Sequence, residues 1–234
     1  MSTTSTEPQG LRDRKKAKRR GLILRKANTL FARNGIDPTT MADIASSVDV
    51  SVPTLFNYFG SKDGILISLL TDGEHEARSA GNNKVMREDV DMATVLVDLF
   101  LLFAERSLKI ADKRIWRYAE AAAIRHPTTA LAMKYTDVDQ QLQRSIAKFM
   151  SNYDIRLRSG KTPDYAFLAQ LFFDTWNTAF FRLIKNDDLT LDQHREEVEA
   201  RFLPLAELIF DTDFQKNPKL KRETAPQDLS GSSE

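Results

Sequence analysis

The stretch FARNGIDPTTMADIASSVDVSVPTLFNYFGSKDGIL, residues 31–66, decides the fold. It holds three short helical patterns, separated by turn signals too tight for anything but a helix-turn-helix. The helix that enters it carries Ile23, Ala27, Leu30 and Phe31 at i, i+4, i+7 and i+8, one apolar stripe. Asn34-Gly35 ends that helix, and Gly35 suits the left-handed position beyond it. Pro38 keeps the loop extended. Thr40 is an N-cap, with Asp43 three residues on at capping-box spacing. The second helix, residues 41–48, turns Met41, Ile44, Ala45 and Val48 to one side. Ala45 is small enough for a crossing helix to come close. Asp49 occupies the turn, where Asp tolerates left-handed angles better than most residues. Ser51 caps the third helix, and Pro53 is acceptable in its first turn. Leu55, Phe59 and Val50 point inward. Val52, Pro53, Thr54, Asn57 and Tyr58 are left outward, and Ser61 caps a fourth helix.

A helix-turn-helix places its second helix in the major groove of DNA. Base reading then falls to Ser51, Thr54 and Asn57, with apolar contacts from Val52 and Pro53. No Arg or Lys lies between Ser51 and Tyr58, so the commonest bidentate contact to guanine is missing from this helix. Asn57 favours adenine and the apolar groups favour the thymine methyl, which predicts A·T-rich half-sites.

These residues resemble the DNA-binding domain of TetR-family transcriptional regulators. The matching features are Phe31, Gly35, Thr40, Ile44-Ala45, Val50-Ser51, Thr54-Leu55, Tyr58-Phe59, Lys62 and Leu66, in order and without gaps. Asp49 stands where the family usually has Gly. Phe56 stands where it usually has Tyr, so a phosphate-binding hydroxyl is missing there. The resemblance implies that Tyr58 and Lys62 contact phosphates. Lys62 also sits at a helix start that favours anions. Thr40 is a third candidate. The resemblance further implies a palindromic site, repression, and a small-molecule ligand of unknown identity among the middle helices. Candidate lining residues are Phe100, Phe103, Trp116, Tyr118, Met133, Phe172 and Trp176.

The net charge of +1 conceals an asymmetry. Residues 1–62 hold 11 Lys/Arg against 5 Asp/Glu, and residues 63–234 hold 23 against 28. The positive charge is concentrated in Arg12, Arg14, Lys15, Lys16, Lys18, Arg19, Arg20, Arg25 and Lys26, a basic arm that suits phosphate at one end of the molecule. Arg19 and Arg20 are its candidate DNA contacts.

There is no Cys, which removes disulfides, a thiolate nucleophile and cysteine metal sites, and fits a cytoplasmic protein. No apolar run is long enough for a membrane span, and the N-terminus has no signal-peptide pattern. No catalytic or phosphate-loop motif occurs. His75, His126 and His194 are scattered, and Asp137 and Asp139, two apart on a helix, face different sides. The reading is therefore no enzyme, no metal and no cofactor.

Beyond the motif the chain reads as helices over residues 61–80, 92–109, 113–125, 128–153, 163–185 and 191–210, with no internal repeat and no strand. Residues 1–11 and 216–234 read as disordered tails. The expected fold is all-α: a helix-turn-helix DNA-binding domain with its basic arm over residues 12–60, then a helical-bundle ligand-binding and dimerisation domain over residues 61–215. The helix over residues 163–185 is apolar on two sides. Ala169, Phe172, Trp176, Ala179 and Leu183 mark one side; Phe167, Leu171, Thr178 and Phe181 mark the other. Such a helix must be buried twice. A second copy of the chain, as the resemblance implies, would cover the outer side together with Phe202, Leu205 and Ile209. Pro204 should kink the last helix. The partners expected are double-stranded DNA, a second copy and an effector, with no membrane. The alternative is a helix-turn-helix scaffold used for protein interaction or ligand-dependent activation.

Overall fold

The computed structural model describes residues 9–79 and 85–221, with backbone alone for Gln9, Leu11 and residues 74–79. The described residues form α1 (Gln9–Asn34), α2 (Met41–Ser47), α3 (Val52–Phe59), α4 (Lys62–Ser79), α5 (Met92–Ile110), α6 (Lys113–Arg125), α7 (Ala130–Met150), α8 (Tyr165–Lys185), α9 (Leu191–Ile209) and α10 (Thr212–Lys216). The architecture is all-α, an N-terminal helix-turn-helix head followed by a helical body. Residues 1–8 and 222–234 of the two tails, and Ala80 at the expected end of the connecting helix, lie outside the described residues.

The head is closed by the residues its periodicity marks. Ile23, Ala27 and Phe31 of α1 are completely buried, together with Ile44 of α2, Leu55 of α3 and Ile65 of α4. Gly35 adopts φ 90° beyond the end of α1, and Asp49 adopts φ 53° in the turn, a left-handed angle that Asp tolerates. The Thr40 hydroxyl accepts from the Asp43 N–H at 3.1 Å, while the Asp43 carboxylate accepts from the Thr40 N–H at 2.9 Å. This reciprocal pair satisfies two donors that the start of α2 would otherwise leave open.

The basic run is helical. It forms the first turns of α1, which starts at Gln9, inside the segment read as a tail. Lys, Arg, Ala and Leu are good helix formers, and like-charge repulsion at i,i+4 costs only a few tenths of a kcal/mol. The chain end also differs. Residues 217–221 are placed by the segment between α7 and α8, through an antiparallel bridge of Tyr153 with Leu220, and a second bridge of Leu157 with Phe210 ties the same segment to the end of α9. The Asp154 N–H donates to Lys219 O at 2.8 Å and the Lys221 N–H to Asn152 O at 2.7 Å. Backbone pairing of this kind needs no side-chain signal, so the polar sequence after Lys216 did not reveal it.

The body is built on α5, where Val95, Leu96, Leu99, Phe100 and Ala104 are completely buried. The connecting helix α4 crosses α5 at Gly73. A Cβ there would lie 2.3 Å from Ile110 Cγ1, so only glycine allows this approach. The first turn of α6 ties the body together. Lys113 Nζ donates to the carbonyls of Asn186, Asp187 and Leu189 at 2.8, 3.2 and 2.7 Å, holding the turn between α8 and α9. No described helix is long and apolar enough to cross a membrane.

Candidate nucleic-acid interface

Helix α3 presents the reading surface. Successive residues advance about 100° around a helix. Leu55 and Phe59 face the head core, so Pro53 and Asn57 point away from it, with Thr54 beside them. Ser51, Pro53, Phe56 and Asn57 are exposed; Val52, Thr54 and Tyr58 are half-buried. Val52 therefore differs from the outward reading, because it sits on the flank of α3 and packs against the core. Ser51 Oγ accepts from the Thr54 N–H at 3.3 Å and lies 2.8 Å from Thr54 Oγ1. The N-cap and the first hydroxyl expected to read bases are thus one hydrogen-bonded pair. Tyr58 lies on the opposite flank from Phe56, its ring 6.0 Å from that of Phe59.

Thr40 is exposed at the start of α2. Its hydroxyl donates to Asp43 Oδ2 at 2.7 Å. Bonds from the Thr40 N–H and hydroxyl hold the Asp43 carboxyl below its usual range.

Two cations expected at DNA face inward. Lys62 Nζ donates to the carbonyls of Ile36, Asp37 and Thr39 at 2.7, 3.2 and 3.2 Å, so its three donors close the loop between α1 and α2. Arg20 pairs with Asp72 of α4, and its guanidinium lies 5.7 Å from the centre of the Phe59 ring. It joins α1, the end of α3 and α4. Spacing could not show this, because both partners lie far along the chain. Arg19 is exposed, as are Arg12, Arg14, Lys15, Lys16 and Lys18, so the first half of α1 carries a cationic surface that leads to Arg20 at the end of α3.

The seven candidate ligand-lining residues divide. Phe100, Phe103, Trp116, Phe172 and Trp176 are buried. Phe100 lies 5.5 Å from Trp176, Trp176 lies 4.8 Å from Phe180, and Phe180 lies 6.2 Å from Trp116, ring centre to ring centre. Met133 is 63% exposed at the first turn of α7, outside this cluster. Tyr118 is half-buried where the body meets the head; burial first, then the nearby charges of Asp63 and Asp37, push its hydroxyl pKa up. Around Trp116 sits a polar group that the aromatic pattern concealed. Burial, with Glu120 adding, pushes the Asp139 carboxyl up to about 7. Burial and the Asp139 charge likewise raise Tyr135. Asp137 is instead paired with Lys134 at 3.0 Å. His194 is fully buried and its Nε2 accepts from Trp176 Nε1 at 3.2 Å. Among the described residues no group of three or more His, Asp or Glu is arranged to hold a metal ion.

On the outer side of α8, Phe167 is 61% exposed, Thr178 is exposed, and Leu171 and Phe181 are half-buried. Phe202 corrects the expected interface. It is completely buried, with ring centres 5.0 Å from Phe100 and 5.1 Å from Phe172. The exposed apolar residues of α9 are its neighbours Leu203 and Leu208, which sequence reasoning missed. Leu205 and Ile209 are half-buried, and Pro204 is exposed within the helix.

A helix-turn-helix with an exposed recognition helix and a flanking cationic helix defines a DNA-binding protein. Residues 23–69 match the family described as bacterial regulatory proteins, tetR family. The Staphylococcus aureus negative regulator of the biofilm operon icaADBC, IcaR, is 25% identical over 158 residues, 66% of this chain and 80% of that protein. The transcriptional repressor KstR of Rhodococcus jostii is 26% identical over 160 residues, 68% of this chain and 69% of its own. Among solved structures, a TetR-family regulator from Mesorhizobium loti superposes with TM-score 0.64 at 16% identity, covering 83% of this chain and 98% of that one. Thermus thermophilus FadR, a TetR-family repressor in complex with lauroyl-CoA, superposes with TM-score 0.55 at 22% identity, covering 88% and 98%. Over residues 23–69 the chain carries the DNA-binding domain of the tetR family, and over most of its length it is similar to TetR-family transcriptional regulators in sequence and fold.

Proposed function

We propose that this regulator acts in the cytoplasm as a homodimeric repressor, occupying a palindromic operator and released by a small molecule. The observation that carries the reading is the outward face of α3, where Pro53 and Asn57 are exposed beside the cationic first half of α1. Phosphate contacts position such a helix and base edges select the sequence. Thr40 and Tyr58 are the phosphate contacts of the head, with Arg19 and its exposed neighbours on α1. Ser51, Thr54 and Asn57 read bases. Lys62 and Arg20 act behind them by fixing the reading helix.

The dimer rests on exposed apolar residues of α8 and α9, Phe167 with Leu203 and Leu208, the last two on opposite flanks of the buried Phe202. A two-fold pairing places two recognition helices on half-sites about one helical turn apart, or a multiple of it. Release follows when an effector binds better to a form with different head spacing. The aromatic cluster from Phe103 to Trp116 is where an effector with an apolar part enters, by separating packed rings. The lauroyl-CoA of the FadR complex shows a ligand of that character on the same fold.

Selection from a random DNA pool at physiological salt tests the reading. The expected result is a palindrome with A·T-rich helix-contacted positions. Guanine dominating those positions would overturn the assignment of α3 residues, and sequence-independent binding would overturn regulation by site recognition.

A further inference from the structure

We propose that Phe56 is a specificity-determining residue that reads the 5-methyl group of a thymine. This rests on the DNA-reading role of α3 proposed above. The Phe56 side chain is 46% exposed, on a helix whose other large apolar residues, Leu55 and Phe59, serve the head core. At 100° per residue it lies on the flank of the outward face next to Pro53, across from Tyr58. Both flanks of a helix in the major groove meet DNA. Tyr58 brings a hydroxyl, which phosphate accepts from. The phenyl group of Phe56 has neither donor nor acceptor, so phosphate oxygens and polar base edges offer it nothing.

Among the groups that the four bases display in the major groove, only the thymine methyl is apolar. Pro53 lies three residues before Phe56, one helical turn back, and is itself exposed, so the two form one apolar strip. Asn57 follows directly and is matched to adenine, so the strip and the amide together select A·T steps. The missing hydroxyl at position 56 thus exchanges a sequence-blind contact for a sequence-dependent one.

The test begins with the operator that the full-length wild-type protein selects from a random pool. Each thymine is then replaced singly by deoxyuridine, which removes only the methyl. Wild type should lose about fourfold in affinity at one position per half-site, the equivalent of one buried methyl group. Phe56→Ala, checked for folding by circular dichroism, should bind the thymine operator more weakly and lose its sensitivity to uracil at that position alone. Phe56→Leu, which keeps an apolar side chain, should retain part of that sensitivity. A wild type indifferent to every methyl overturns the proposal, as does a Phe56→Ala variant that keeps the full wild-type pattern. Failure to select any sequence overturns the DNA-reading role itself, and this contact with it.

Discussion

Arg114 Nη1 lies 2.9 Å from the carbonyl oxygen of Ala32 and 3.4 Å from that of Arg33. The first turn of α6 in the body therefore donates to the last turn of α1 in the head. One residue earlier, Lys113 holds the turn between α8 and α9; one turn later, Arg117 pairs with Asp187 at 2.8 Å. Helix α6 thus grips the head on one side and the turn at the end of α8 on the other. In the proposed dimer these bonds are the path by which a change in the body would reach the spacing of the heads.

Arg114→Ala should therefore relax spacing rather than abolish binding. The lost charge-assisted bonds are exposed, so about 1 kcal/mol is at stake, roughly fivefold in affinity for the preferred operator. Operators with the half-site spacing changed by one base pair provide the readout. Wild type should reject them strongly and the variant less so. An undiminished penalty removes Arg114 from the control of spacing.

Lys62→Ala separates a structural role from a phosphate contact. The variant leaves the Ile36, Asp37 and Thr39 carbonyls without their donor, at about 1–3 kcal/mol. For a chain of this size each kcal/mol lowers Tm by about 2–4 °C. Thermal unfolding should show this loss, while the slope of log affinity against log salt stays unchanged. A stable variant whose slope falls by about one would instead identify Lys62 as a phosphate contact.

The legible and illegible parts of the molecule follow a physical division. Helix caps and turns are local, so Thr40, Asp43, Gly35 and Asp49 could be read from spacing alone. Apolar periodicity marked two apolar sides on α8, of which the described residues bury one and leave Phe167 on the other exposed. Periodicity does not say which of two adjacent residues faces the core, and Phe202, expected at the interface, lies in the core while its neighbour Leu203 is exposed. Pairings such as Arg20 with Asp72, or Lys62 with the Ile36 carbonyl, join residues distant in sequence. Nothing in composition distinguishes such cations from those that meet DNA. The Leu157–Phe210 bridge is invisible to any side-chain pattern because backbone makes it.

Buried His194 and half-buried Asp139 give stability opposing pH dependences. Burial lowers the His194 pKa from 6.5 to about 4, so the unfolded chain takes up a proton there before the folded one. Its contribution is present above pH 6.5 and declines as pH falls toward 4, by about 3 kcal/mol in all. Asp139 has the reverse sign. Burial raises its folded pKa from 3.8 to about 7, so the folded chain holds a proton that the unfolded chain has released. Stability therefore falls as pH rises from 3.8 through 7. The two slopes offset one another across pH 4–6.5. Asp139→Asn should raise Tm at pH 8, by about 2–4 °C for each kcal/mol gained, and not at pH 3.5. His194→Gln should remove the acid-side loss. Melting curves from pH 3.5 to 8 on each variant check both signs, and parallel curves for wild type and Asp139→Asn would show that Asp139 is not desolvated.

Adjacent residues on α9 should fail in different ways. Phe202 is completely buried against Phe100 and Phe172, so Phe202→Ala should cost about 3–5 kcal/mol of protomer stability through the cavity it opens. Leu203 and Leu208 are 50% and 72% exposed on one protomer, so a charge at either is harmless to the isolated fold. Placed opposite a second copy, the same charge loses its water and has no partner. Leu203→Glu with Leu208→Glu should therefore keep the helical circular dichroism of wild type and sediment as a monomer. Operator affinity should fall steeply, because one head retains only one half-site. A double variant that still sediments as a dimer would place the interface elsewhere than the outer side of α8 and α9.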